Sequence, residues 1–363
     1  MAYTTIDDPT KFFSTTLWVA DNASSRSLTG FGHQPDLVWT KHRGSGATNP
    51  TFTDSVRGGD KQMGTSSNAA EDSGSHGKIS SFDSDGITVI DGTNGTYPRL
   101  YFNSLNPFGA SVGGNYVGWS WKAGGSASSN GDGSITSTVS NNSTSGISIG
   151  TYTGNGTAGA TVGHGLGANP DVLIVKERGN TNSWVFSHKD LTDQSGYYLL
   201  LNSTGAQATD NWFNNTSPTS TVFSTNSTPT NRSSGTYVFY AFKEVKGYSK
   251  FGSYTGNGNA DGTFVYTGFA PAFVMFKRSD STSNWIIFDQ KRGLFNLNDN
   301  YLYPNATSAE GTSSSSGVDL LSNGFKQRNT YADANTSSGT YIYMAFAENP
   351  FVTEGTKAAG TAK

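Results

Sequence analysis

A short run of apolar and β-branched residues, opened by a proline and closed by a lysine, occurs three times along the chain. The copies are Pro35 to Lys41, Pro170 to Lys176 and Pro271 to Lys277, and each lysine lies six positions after its proline. Runs that are apolar at consecutive positions are typical of strands buried on both faces. The pattern predicts that the closing lysine marks the point where each strand leaves the core for water.

The similarity between the copies extends well beyond these runs. Residues 152–156 and 254–258 are identical, and Trp184 and Trp285 each lie 14 residues after the repeat proline. Each copy closes with an aromatic-rich strand pattern, at 116–122, 237–243 and 341–346. A fixed internal repeat sets the unit of folding, so the sequence predicts three copies of one β module.

We predict an all-β protein of three tandem β-sandwich or jelly-roll modules, each of about 100–130 residues. Module 1 spans 1–125, with an N-terminal attachment segment and an extra loop at about 90–113. Module 2 spans 126–245 and follows a Gly/Ser linker at 124–132; module 3 spans 246–352, and 353–363 is a mobile tail. Modules in series predict an elongated body. A single helical turn is expected at 7–13, capped by Asp7 or Asp8 with Pro9 at its start.

Composition narrows the class of protein. Hydrophobic residues make up only 34%, but 17 Tyr, 22 Phe and 7 Trp supply enough apolar area for a folded core. The net charge of −3 gives no attraction to nucleic acid, and the absence of cysteine excludes disulfides and thiolate chemistry. No apolar run reaches membrane-spanning length, so no membrane insertion is expected. The N-terminus lacks a secretory pattern, which suggests synthesis in a cytoplasm and release by lysis.

Catalytic and metal-binding patterns are absent from the sequence. The five histidines show no metal-ligand spacing, and His33 and His164, in Gly-rich turns, are interpreted as structural. Asp83 and Asp85 precede Gly86, which is ordinary turn chemistry; a calcium loop or a glycosidase pair is the alternative. We predict no catalytic residue, no metal site and no cofactor.

Four residues are the candidate ligand contacts: Trp184, Trp285, Lys277 and Arg292. The tryptophans could stack on sugar rings, although repeated aromatics in a β module are usually core residues. Lys277 belongs to a basic pair that recurs with the repeat and could hold an anionic group, or could be a solvated strand end. Arg292 belongs to an Asp-x-x-Arg pattern that copy one shares at Asp54 and copy two lacks, since His188 stands there.

Several longer stretches are distinctive, notably 246–264, 268–278, 341–348, and 118–125 running into 134–139. In these stretches the chain resembles a repeat-containing family of virion proteins from marine tailed bacteriophages, including those of cyanobacteria. The resemblance spans nearly the whole chain, from Met1 to Phe351. It implies a virion structural protein, of the tail or fibre type, with lectin-like β-sandwich modules. It supplies no catalytic or binding residue.

From these observations we predict a virion-surface protein, a tail fibre or adhesin, that binds host envelope glycan without catalysis. Weak sites become effective through avidity when several copies are displayed, and a homotrimer with other virion proteins as partners is expected. An alternative is a capsid decoration or tail-assembly protein that contacts only phage proteins. A glycan depolymerase is a more remote alternative.

Overall fold

The protein is described by a computed structural model that covers residues 4–44, 48–109 and 113–350. The regular elements of these residues are β-strands and two short 3₁₀ helices, so the predicted all-β fold is confirmed. The predicted helical turn is the 3₁₀ helix Pro9–Lys11, which has Asp8 at its N-cap and Pro9 in its first turn. No helix in the described ranges is long and apolar enough to span a membrane. The predicted tail, 353–363, lies outside these ranges.

Three sets of strands correspond to the three sequence copies, here called repeats 1, 2 and 3. Repeat 1 contains β1 (Phe13–Val19), β2 (Ser25–Thr29), β3 (Leu37–His42), β4 (Thr51–Asp54), β5 (Gly58–Gly64), β6 (Lys78–Asp83), β7 (Gly86–Ile90) and β8 (Asn115–Trp121), with the 3₁₀ turn Pro107–Gly109 before β8. Repeat 2 contains β9 (Ser128–Asn130), β10 (Ser137–Asn142), β11 (Ile147–Thr153), β12 (Ala160–Gly163), β13 (Val172–Glu177), β14 (Val185–His188), β15 (Tyr197–Leu200), β16 (Ala208–Thr209), β17 (Val222–Thr225) and β18 (Thr236–Phe242). Repeat 3 contains β19 (Ser249–Thr255), β20 (Phe264–Tyr266), β21 (Phe269–Arg278), β22 (Trp285–Asp289), β23 (Asn300–Tyr301), β24 (Gly311–Thr312), β25 (Val318–Leu321), β26 (Gly324–Gln327) and β27 (Thr340–Pro350).

Each repeat contains one large sheet and one smaller sheet, and repeat 3 has a further two-stranded sheet, β23-β24. The large sheets share a four-strand unit, in the orders β1-β8-β3-β4, β11-β18-β13-β14 and β19-β27-β21-β22. The small sheets are β2-β7-β6, β12-β17 and β20-β26-β25. A stacked aromatic pair recurs at the same register in all three large sheets, with ring centroids 4.8–5.5 Å apart: Trp18 with Tyr116, Tyr152 with Tyr237, and Tyr254 with Tyr341.

The central strand of each large sheet is buried on both faces, as the consecutive apolar residues predict. In β3, Leu37 and Trp39 face one apolar cluster while Val38 faces another. The strands β13 and β21 alternate in the same way between the shared cluster and a cluster of their own repeat. One cluster lies between the large and small sheets of each repeat, and the other lies where the large sheets of different repeats meet.

The shared cluster, here called the central core, joins all three repeats. Trp121, Phe242 and Phe346 occupy the same position in their repeats. Each lies opposite the residue two positions after the repeat proline, which is Leu37, Val172 or Phe273. Their rings contact one another pairwise, with centroids 6.3 Å (Trp121–Phe242), 6.0 Å (Phe242–Phe346) and 5.5 Å (Trp121–Phe346) apart. Three equivalent residues in mutual contact place the repeats around one axis. The expected elongated series of modules is therefore wrong.

The crossing from one repeat to the next is also more ordered than predicted. Within the expected linker at 124–132, Ser128–Asn130 forms β9, which pairs with β10 and extends the large sheet of repeat 2. The aspartate after the repeat proline fixes each crossing: Asp36 Oδ2 accepts the amide of Ala123 at 2.8 Å, and Asp171 Oδ2 accepts that of Glu244 at 2.6 Å. Repeat 3 has Ala272 at this position.

We expect Trp121→Ala to lower the free energy of unfolding of the whole chain by about 3–5 kcal/mol, because the lost ring leaves a cavity between three repeats. Denaturant unfolding, followed by tryptophan fluorescence and circular dichroism, should still show one cooperative transition, at a lower midpoint. Phe295→Ala, at a side chain that is 77% exposed, is the control and should leave the midpoint unchanged. Separate transitions, with part of the signal at the wild-type midpoint, would show that the repeats fold independently.

Candidate functional site

The two predicted stacking residues, Trp184 and Trp285, are buried where repeats meet. Trp184 of repeat 2 donates its Nε1–H to the Gly64 carbonyl of repeat 1 at 3.0 Å, and Trp285 of repeat 3 donates to the Leu200 carbonyl of repeat 2 at 3.0 Å. Both rings belong to the central core. The expectation that these two rings stack on a sugar is corrected. Each indole instead hydrogen-bonds to the preceding repeat and so holds the two repeats together.

Lys277 and its equivalents, Lys41 and Lys176, are also interior, which corrects the expected solvated strand ends. Their ammonium groups are surrounded by backbone carbonyls rather than water. Lys277 Nζ donates to the Thr204 carbonyl of repeat 2 at 3.2 Å, and Lys41 Nζ donates to the Thr307 carbonyl of repeat 3 at 2.9 Å. Burial lowers the pKa of Lys41 to about 7 and that of Lys277 to about 8.

Arg292 forms a buried ion pair with Asp289 at the contact between repeats 3 and 1. Arg292 Nε lies 2.6 Å from Asp289 Oδ2, and both side chains are fully enclosed. Trp119 of repeat 1 donates its Nε1–H to the same carboxylate oxygen at 3.0 Å, and the guanidinium lies 5.6 Å from its ring centroid. Arg292 is therefore an interface residue and is not exposed to a ligand.

The same device closes the contact between repeats 1 and 2. Arg57 pairs with Asp54 at 2.6 Å, and Tyr240 of repeat 2 donates its hydroxyl to Asp54 Oδ2 at 2.7 Å. By strand register, Tyr240 is the equivalent of Trp119. A charged pair in one repeat thus meets a hydrogen-bond donor from the next, which satisfies the buried carboxylate.

Repeat 2 departs from this pattern because its neighbour offers no donor. Met344 of repeat 3 stands where Trp119 and Tyr240 stand in the other repeats. A carboxylate facing Met344 would be buried without a partner, and His188 takes its place. Its Nε2 lies 3.2 Å from the Tyr343 carbonyl, and burial lowers the pKa of His188 to about 4, so the ring is neutral at pH 7.

The remaining predicted polar residues have structural roles. His33 Nδ1 lies 2.8 Å from the Thr10 carbonyl, and His164 Nε2 lies 3.1 Å from the Thr219 carbonyl, as expected of turn histidines. Asp83 closes the β6–β7 hairpin opposite Gly86. Among the residues that the structure describes, no group of three His, Asp or Glu side chains could hold a metal ion.

The surface feature that the fold does not require is a pair of aromatic side chains on β20. Phe264 and Tyr266 are 44% and 54% exposed, and both point away from the core, since Val265 between them is buried. The Phe264 ring reaches the backbone of Gly324 on the neighbouring strand, where a Cβ would meet it at 3.1 Å. Phe264, Tyr266 and Gly324 together form what we call the aromatic platform.

Comparison of the repeats shows that these aromatic residues are specific to repeat 3. The strand registers pair Tyr266 with Gly324 and Thr29 with Gly86, so Phe264 and Tyr266 correspond to Ser27 and Thr29 of repeat 1. In repeat 2 the two positions hold Thr161 and Gly163. The corresponding strands β2 and β12 therefore form with small or hydroxyl residues at these two positions. The aromatic rings are not needed to form such a strand.

Charged side chains border the platform. Lys326, directly opposite Phe264, forms an ion pair with Asp261 at 2.6 Å. Arg328 bridges Asp261 and Asp319, at 3.3 Å to each. The platform thus combines two exposed aromatic side chains with a rim of hydrogen-bonding groups on one face of the sheet. Sequence reasoning missed it, although alignment of the three copies at β20 carries the signal.

The lowered pKa of the buried Lys41 should make the free energy of unfolding depend on pH. Between pH 7.5 and 9.5, folded Lys41 has largely released its proton, while the unfolded side chain, with a pKa near 10.4, retains it. The unfolded state then binds more protons, so the free energy of unfolding rises with pH, by up to about 1.4 kcal/mol per pH unit for one such group. Lys41→Met should flatten this rise in urea titrations at the two pH values. An unchanged slope would contradict the lowered pKa.

A second prediction concerns the contact between repeats 3 and 1. Arg292→Met should lower the free energy of unfolding by about 3–5 kcal/mol, because it leaves the Asp289 carboxylate buried without its counterion. Arg328→Met is the matched control, since its side chain is 40% exposed, and should change stability by less than about 1 kcal/mol. Equal effects in denaturant titrations would contradict the assigned role of Arg292.

No significant match to the chain was found among curated proteins or among solved structures. The sequence does match the family described as "Domain of unknown function (DUF7483)", over residues 8–350. The match runs through all three repeats, as the central core does. The chain therefore belongs to the DUF7483 family.

Proposed function

We propose that the protein is a virion-surface protein, of the tail-fibre or adhesin type, that binds host envelope glycan without catalysis. The observation that carries the proposal is the aromatic platform, which exposes two rings where the other repeats have Ser27, Thr29, Thr161 and Gly163. Large aromatic side chains exposed side by side on a sheet are a recurrent feature of interaction sites. The proposed contact lies on β20 of repeat 3 and involves none of the four predicted ligand residues.

Two physical properties of the platform favour a carbohydrate as its ligand. An aromatic ring offers an apolar face, which suits the C–H-rich face of a pyranose, and the tyrosine adds a polar hydroxyl. The rim formed by Asp261, Lys326 and Arg328 can exchange its hydrogen bonds with sugar hydroxyls or anionic substituents. Two exposed rings on a sheet give a weak single contact, and display of several copies on one particle raises the overall affinity through avidity.

The virion assignment rests on the resemblance to repeat-containing proteins of marine tailed phages. The same assignment implies synthesis in a host cytoplasm, release by lysis, other virion proteins as partners and a homotrimeric state. Each of these stays a prediction. A single chain already contains three sandwiches around one axis. Whether three such chains associate is a separate question, which the molecular mass in solution tests directly.

The alternative is a capsid decoration or tail-assembly protein with only phage partners. The observation that favours it is the outer edge of β1 in repeat 1, with which no described strand pairs and which can therefore take part in protein contacts. A depolymerase is the remote alternative, and release of reducing ends from a bound polysaccharide would be its signature.

The platform is tested by giving repeat 3 the outer face of repeat 1. The double variant Phe264→Ser and Tyr266→Thr should fold as the wild type does, since Ser27 and Thr29 already occupy the equivalent positions. Its binding to a panel of immobilised bacterial lipopolysaccharides and capsular polysaccharides should weaken about tenfold or more, because each ring adds roughly 0.5–1.5 kcal/mol beyond its buried area.

Phe295→Ser is the matched control, since it removes an exposed aromatic ring outside the platform and should leave binding unchanged. Retention of glycan binding by the double variant would refute the platform as the site. If the wild type bound no polysaccharide or bacterial cell, while it was found in ordered positions on particles, the decoration alternative would replace the adhesin.

A further inference from the structure

Among the residues that the structure describes, no strand pairs with the outer edge of β1, the first strand of repeat 1. Phe12 and Ala20 flank β1 and bond to β8, through Lys122 N–H to Phe12 O and Ala20 N–H to Gly114 O. In an antiparallel ladder the bonded residues alternate, so the backbone groups of Phe13, Thr15 and Leu17 point away from β8. No described residue hydrogen-bonds to these groups. Leu17 and Val19 are 37% and 59% exposed, and the Val19 carbonyl accepts from Arg26 at 2.5 Å, so the open part of the edge runs from Phe13 to Leu17.

The equivalent strand of repeat 2 is covered by a strand of the same chain. There β11 pairs with β18 on one side and with β10 on the other. Leu17 corresponds to Thr151, which lies opposite Thr138 of β10. The fold therefore already contains one example of an antiparallel strand added at this edge, with hydroxyl and β-branched residues.

A cleft of about 420 Å³ lies beside β1 at the position that β10 fills in repeat 2. Its walls include Phe13 and Thr15 of β1, Gly30 in the following turn, and Asn349 of repeat 3. In repeat 2, Val139 and Asn141 lie against Gly165, the equivalent of Gly30, and Asn141 also contacts Gly124 of the preceding crossing. Thr15 Oγ1 is buried and has no hydrogen-bond partner among the described residues.

The corresponding edge in repeat 3 is bridged at its start and carries polar side chains at its exposed positions. Ser249, at the start of β19, bonds to Val245, and the exposed positions of the strand are the polar Ser253 and Thr255. Natural sheets commonly protect their edges with polar residues or covering segments, because an exposed apolar edge is a template for pairing. In the described residues, β1 combines an edge without a strand partner, exposed apolar side chains and an adjoining cleft.

We propose that β1 is a strand-addition site, which binds an extended segment of a partner polypeptide as an antiparallel strand. The segment would resemble β10: four to six residues that alternate hydroxyl or amide with β-branched side chains. Its backbone would bond to Phe13, Thr15 and Leu17, and a hydroxyl or amide would reach Thr15 Oγ1 in the cleft. A single strand fits the cleft. The β1 edge of a second copy fits less well, because repeat 3 of that copy lies beside its own β1 and would meet the wall of the cleft.

The probe is a fluorescent peptide with the sequence of residues 134–143, which contains β10, and the receptor is the full chain. Saturable binding to the wild type should appear in an anisotropy titration. Leu17→Pro removes an outward amide without touching the β8 ladder, a position where proline is tolerated, and should weaken binding roughly fivefold or more. Leu17→Thr, the residue of repeat 2, retains the amide and should bind as the wild type does.

A second arm leaves the protein unchanged. The same peptide with an N-methyl group on Thr138 cannot donate to the Leu17 carbonyl and should bind as weakly as the normal peptide binds Leu17→Pro. The proposal is overturned if the wild type does not bind the normal peptide, or if neither the proline nor the N-methyl group weakens binding. It is also overturned if the chain self-associates through this edge, shown by a dimer that Leu17→Pro abolishes, because the occupant is then a second copy. Glycan binding by the platform on β20 is independent of every one of these outcomes.

Discussion

The contact of three apolar sheet faces around one axis is the constraint on which the rest of this structure depends. A large β-sheet with two apolar faces must cover both, and each repeat has only a small sheet to cover one of them. The second face is covered by the other two repeats, with Trp121, Phe242 and Phe346 at the meeting point. A repeat taken alone would expose its share of the central core, which explains why the chain is better understood as one body than as three.

The contacts between repeats follow from that arrangement. Polar groups at the rims of the large sheets are carried into the interior when the sheets meet, and many of them bond to the neighbouring repeat. The Lys41 and Lys277 amines find loop carbonyls, and the Trp184 and Trp285 indoles find carbonyls of the preceding repeat. The residues that looked most like ligand contacts in the sequence are therefore those that hold the repeats together.

The sequence predicted the class of fold because the signals for it are local. Consecutive apolar residues in β3, β13 and β21, glycine turns, and aromatic closing strands all depend on near neighbours in the chain. The sequence could not predict the arrangement of the repeats, because a lysine that ends a strand has the same local pattern whether water or another repeat lies beyond it. Lys277 and Arg292 were misplaced for this reason. Phe264 and Tyr266 were detectable, since comparing the copies position by position separates what the fold needs from what one repeat adds.

The three contacts between repeats differ in chemistry, and this fixes the order of the repeats in space. Asp54 requires the hydroxyl of Tyr240, Asp289 requires the indole of Trp119, and His188 suits the backbone beside Met344. An exchange of neighbours would place a buried carboxylate against a thioether, with no donor to receive it. In a ring of identical subunits all contacts are the same, so the ring can close with a different number of subunits or exchange segments with another ring. Here the mismatched pairings disfavour any other circular order of the three repeats.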